Sequence, residues 1–183
     1  MKTVSKLMFA LICSLALVTT VAADHPRDAG SKARGEVYNF WVGQSSQRHA
    51  QDHARSLNYY GQTQPIVTSA PAQQHVSAVR QSLESCQKAV GELKKSNPEN
   101  KEVQAAVTKI GQVHSKVLSQ CDQLDKTLSK EKCEGMALCS CCVDMCADLD
   151  GADVEMGSLM KALKIENPRP TISKEQPSTS TKN

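Results

Sequence analysis

Aromatic residues make up only 3% of this 183-residue chain. A β-sandwich or barrel core is thereby disfavoured, because strands draw on aromatic and β-branched side chains. Gly and Pro number only 9 and 7, which excludes collagen-like and low-complexity architectures. Charge of one sign is also scarce. The net charge is +3 with 22% charged residues, too mild for an electrostatic nucleic-acid binder. No phosphate loop, zincin motif or Ser-His-Asp spacing is present, so an enzyme ranks third among the functional readings. What the chain does have is eight cysteines and five histidines.

The first 23 residues read as an export signal. Lys2 and Lys6 form a basic start, Leu7 to Ala22 is uncharged, and Val21-Ala22-Ala23 supplies small residues before Asp24. That is the three-part pattern of a cleaved secretory peptide. About 16 uncharged residues fall short of the roughly 20 that a spanning helix needs. No later segment is apolar enough to span a bilayer. The expected location is therefore periplasmic, cell-envelope or extracellular. Cys13 would leave with the signal, so the remaining seven cysteines cannot all pair internally.

Residues 24–35 carry Pro26, Gly30 and Gly35 and read as a leader loop. A first helix is expected over 36–60, ended by Gly61, with a connector over 61–71. The next segment, 72–95, places Val76, Val79, Leu83, Cys86, Val90 and Leu93 at alternating steps of three and four, a helical seam. A third seam runs through Val103, Val107, Ile110, His114, Val117, Cys121, Leu124 and Leu128, with Asn97 as the expected N-cap and Pro98 in the first turn. A fourth runs through Leu138, Cys142, Met145, Leu149, Ala152, Met156, Leu159 and Leu163. Long seams joined by short loops predict an all-α, antiparallel up-down four-helix bundle over 36–167. Residues 168–183 turn to Ser, Thr, Lys, Gln and Pro and read as a disordered tail.

The seams carry polar side chains into the bundle. Antiparallel register predicts two polar layers. One holds His75, Cys121, Cys142 and Cys146. The other holds His49, His53 and His114, with Asp150 or Asp153. His49 and His53 are four residues apart and share a helical face, a spacing that suits one metal ion. His114 would add a third imidazole and Asp153 a carboxylate. The plainer alternative is a solvated pair on a polar helix plus one satisfied core histidine.

Cys139-Ser-Cys141-Cys142-Val-Asp-Met145-Cys146 is the densest cluster. Cys139, Cys142 and Cys146 share one helical face, and Cys141 and Met145 form an adjacent pair. A row of thiolate and thioether ligands suits soft ions, Cu(I) or Zn(II). Disulfides are the alternative for exported cysteines. Neighbours on one helix are poorly placed for a bridge, which leaves Cys121 with Cys142 or Cys146, and Cys133 with Cys139, as the candidate pairs.

The segment from Glu131-Lys-Cys133 through Cys146-Ala-Asp resembles one helix of the cysteine-rich four-helix-bundle copper-storage proteins. The resemblance covers about 16 residues, with Cys142 and Cys146 as a CxxxC pair and Cys139 one turn before. It implies Cu(I) held inside the bundle. The other helices carry one cysteine or none, so one or two sites replace high-capacity storage. The histidine layer is similar in kind to ferritin-like and haemerythrin-like bundles, but their paired Glu-x-x-His motifs are absent. Two functional readings result. One is an exported, low-capacity copper- or zinc-binding bundle, a binder or chaperone with no nucleic-acid partner. The other is a disulfide-stapled cell-envelope structural or interaction module without metal.

Overall fold

The computed structural model describes residues 26–166. The expected export signal over 1–23 and the expected tail over 168–183 lie outside them. The order of elements is α1 (Pro26–Thr63), β1 (Ile66–Thr68), α2 (Ser69–Ser96), α3 (Lys101–Thr127), β2 (Lys132–Glu134) and α4 (Gly135–Ala162). Each helix packs on two neighbours, α1 on α2 and α4, and α3 on α2 and α4, so the four close into an all-α bundle. No described helix is long and apolar enough to cross a membrane.

The three predicted seams supply most of the core, with Leu163 at the end of the last one only half-buried. Val76, Val79, Leu83, Cys86, Val90 and Leu93 of α2 are buried. So are the eight seam residues from Val103 to Leu128 along α3, and Leu138 to Leu159 along α4. An apolar stripe of this length must be covered, and burial at roughly 25 cal/mol per Å2 favours covering it with the other helices.

Helix α1 corrects the expected leader loop. It starts at Pro26, ten residues before the expected position. Proline's fixed φ and missing N–H suit a first helical turn, and the two glycines lower helix propensity by only about 1 kcal/mol each. Gly61 is likewise not a stop, since α1 continues to Thr63. Its role is close approach. A Cβ on Gly61 would lie 2.8 Å from the Gly135 carbonyl oxygen, and one on Gly135 would overlap the Gln64 carbonyl oxygen. The end of α1 and the start of α4 therefore touch backbone to backbone.

The two short strands were not expected. They pair antiparallel, with Ile66 opposite Glu134, Val67 opposite Cys133 and Thr68 opposite Lys132. Ser69 N–H donates to Glu131 O at 2.9 Å and Gly135 N–H to Pro65 O at 3.0 Å, extending the pairing at both ends. The ladder ties the α1–α2 connection to the α3–α4 connection at one end of the bundle.

The start of α3 is a second correction. The N-cap is Asn100 rather than Asn97, and its side chain accepts from the N–H groups of Glu102 and Val103. Asn97 instead bonds Glu36 of α1 and the Leu93 carbonyl. Asparagine caps by bonding two or three residues ahead. Residues 98–99 form a turn closed by Asn100 N–H donating to Asn97 O at 3.3 Å, so the helix starts three residues later.

Candidate functional site

Two apolar clusters fill the bundle. One runs from Ala50, Leu57 and Val76 to Val117, Cys121, Leu138, Cys142, Met145 and Leu149. The other holds Phe40, Cys86, Leu93, Val107, Ile110, Met156 and Leu159. His114 lies between them along α3 and is fully buried. Its Nε2–H donates to Gln47 Oε1 at 2.8 Å. The tautomer follows from the amide: Gln47 Nε2 donates to the Leu149 carbonyl at 2.9 Å, so its oxygen faces the ring. Nδ1 of His114 has no hydrogen-bond partner among the described residues. Burial lowers the pKa of His114 to about 4 and keeps it neutral.

The rest of that polar belt comes from α1. Gln44 bonds Asp153 at 2.6 Å, and Gln51 bonds Asp150 at 3.0 Å and the Leu149 carbonyl at 3.3 Å. Gln44, Gln47 and Gln51 are all buried. Their steps of three and four form α1's own seam, made of amides instead of aliphatics. Such a seam carries no apolar periodicity, so Gln47 does not stand out in the sequence.

The expected histidine layer is therefore not assembled as His49, His53 and His114. His114 meets Gln47, Asp153 meets Gln44, and His49 is exposed. His53 meets His75 across α1 and α2, with Nδ1 atoms 3.1 Å apart and ring planes inclined at 57°. The register placed His75 in the other layer, about one turn away from where the helices bring it. Burial lowers the His75 pKa, and the neighbouring His53 lowers it further.

The cysteine cluster does gather. Cys142 of α4 is fully buried, in the same apolar cluster as Cys121 of α3. Burial pushes its thiol up to about 12, and the thiols of Cys146, Cys141, Cys139 and Cys121 lie near enough to push in the same direction. Cys121 rises to about 11 and Cys86, apart from the cluster, to about 12, both by burial. Cys146 is half-buried, raised by burial and opposed by Arg55. Cys139 Sγ donates to Asn58 Oδ1 of α1 at 3.2 Å. Met145 is buried within the same apolar cluster as Cys142.

All seven described cysteines are free thiols, so neither expected bridge, Cys121 with Cys142 or Cys146 and Cys133 with Cys139, is formed. Cys133 lies opposite Val67 in the strand ladder. Thiols with raised pKa are poor nucleophiles, because the thiolate is the reactive form. Among the described residues, no three His, Cys, Asp or Glu side chains converge as a finished metal cage. No protein family, curated protein or solved structure matches the chain.

Proposed function

We propose that this protein is an exported, low-capacity binder of a soft metal ion, Cu(I), at the thiol cluster around Cys142. The observation that carries the reading is that Cys142 of α4 and Cys121 of α3 are both fully buried in one apolar cluster, with Cys141 and Cys146 packed against it and no bridge among the thiols. Thiolates select Cu(I) over harder ions. Two sulfurs suffice for such an ion in a near-linear arrangement, so a ready-made cage of three is not required. Cys142 is the central ligand, Cys121 faces it from α3, and Cys146 lies one turn further along α4. Zinc is the less suited occupant, since structural zinc takes four ligands in a tetrahedron.

The chemistry of loading follows from the thiols. Both Cys142 and Cys121 are protonated at neutral pH, and a metal-bound sulfur must be deprotonated. Each ion held by two thiolates would displace two protons into solvent. Apparent affinity should therefore rise with pH.

The test is a Cu(I) titration of the reduced protein against a colorimetric Cu(I) chelator. The wild type should withhold about one equivalent. Cys142→Ala should lose that equivalent, and the wild-type affinity should climb as pH is raised from 6 to 8. Equal withholding by wild type and Cys142→Ala would remove the cluster as a metal site.

A further inference from the structure

We propose that His53 and His75 form a second metal site, a two-imidazole clamp across α1 and α2 for a borderline divalent ion of the zinc class. It uses none of the thiols, and it stands or falls apart from the Cu(I) reading.

Nδ1 of His53 and Nδ1 of His75 are 3.1 Å apart. With metal–nitrogen bonds of about 2.0–2.1 Å, donors so spaced subtend about 100° at one ion. That lies between the octahedral and tetrahedral angles, so both nitrogens reach one metal without moving the helices. The rings come from different helices, which fixes their spacing by the packing of α1 on α2. Ala54 and Leu57 on α1 and Ala72 and Val76 on α2 are buried around the pair and anchor that packing.

Protonation favours the same conclusion. In the metal-free pair one Nδ1–H donates to the other Nδ1, so only one of the two nitrogens offers a lone pair. An ion takes the place of the shared proton. The donor ring moves its hydrogen to Nε2, through solvent, and both Nδ1 lone pairs then face the metal. Both rings are half-buried, leaving an open side at which water completes the coordination. Imidazole is the ligand that zinc-class ions accept readily.

The sequence favoured another pair, His49 with His53 on α1 alone. His49 is exposed and His53 already faces His75. The experiment separates the two pairs and separates imidazole from sulfur. Co(II) serves as the probe, because thiolate ligation adds an intense sulfur-to-cobalt charge-transfer band and imidazole ligation does not. The folded, reduced full chain is titrated as wild type, His53→Ala, His75→Ala, His49→Ala and Cys142→Ala. The first equivalent should bind without the sulfur band and should shift the ring 15N resonances of His53 and His75. His53→Ala and His75→Ala should each weaken it by about tenfold or more, while His49→Ala and Cys142→Ala bind as wild type. Wild-type affinity in His75→Ala would overturn the clamp, as would an equal loss in His49→Ala or a sulfur band at the first equivalent. Failure of Cu(I) binding at Cys142 would leave all these outcomes unchanged.

Discussion

His114 donates from Nε2 to Oε1 of Gln47 at 2.8 Å, and the same amide donates to the Leu149 carbonyl at 2.9 Å. One buried glutamine thus links a histidine on α3 to the backbone of α4, at the level where the two apolar clusters meet. Gln44 and Gln51 add bonds to Asp153 and to Asp150 and the Leu149 carbonyl on either side. Amides are directional, whereas aliphatic seams can slide by a turn at modest cost. The belt therefore fixes the register of α1 against α3 and α4.

The belt makes stability depend on pH. His114 has its pKa lowered to about 4 in the folded chain, against 6.5 when unfolded. Its neutral form is favoured by folding, so the contribution is full above pH 6.5 and is lost as pH falls toward 4. The shift corresponds to roughly 3 kcal/mol. Urea unfolding at pH 7.5 and pH 4 should show that much less stability loss in His114→Leu than in wild type.

Removing only one member of the belt should cost more than removing two. His114→Leu leaves the Gln47 oxygen buried and unpaired, a loss of about 1–3 kcal/mol at neutral pH. His114→Leu with Gln47→Leu replaces both partners by apolar groups, and its stability should recover toward wild type. Chemical denaturation of the single and double variants measures the coupling; additive losses would show that the pair does not act as a unit.

Glycines should divide by what surrounds them. Gly135→Ala drives a methyl into the Gln64 carbonyl at the α1–α4 contact, and it should unfold the chain at a markedly lower temperature. Gly111 has open space around its Cβ direction and lies within α3. Gly111→Ala should stabilise by about 1 kcal/mol through helix propensity. Thermal melts of both variants give opposite signs if the contact is as described.

Asn100 should carry the start of α3. Asn100→Ala removes the acceptor for Glu102 and Val103 N–H and should cost about 1 kcal/mol. Asn97→Ala should not lose a cap, because Asn97 bonds Glu36 and the Leu93 carbonyl instead. Hydrogen exchange at Glu102 and Val103 distinguishes the two: faster exchange belongs to Asn100→Ala alone.

The helices α2, α3 and α4 were legible because each repeats apolar residues at steps of three and four, and every such position from Val76 to Leu159 in those seams is buried. That periodicity is a local property, readable from a single segment. The extent of α1 was not legible. Between Phe40 and Leu57 its core face is Gln44, Gln47, Ala50, Gln51 and Ala54, and amides and alanines give no hydrophobic period. The strand ladder was hidden for a similar reason. Three-residue strands have too few residues to show alternation, and they exist only because two connections meet.

The sequence by itself determined that the chain makes helices, which faces they bury, and that cysteines crowd the first half of α4. Those facts follow from residue type and spacing along one element. The tertiary structure alone decided which polar groups meet. His53 faces His75 rather than His49, and His114 faces Gln47. A shift of one turn between neighbouring helices moves every such partner by about 5.4 Å, more than a hydrogen bond or a metal–ligand bond can span. Seam spacing tolerates that shift, and the side-chain packing between helices removes it.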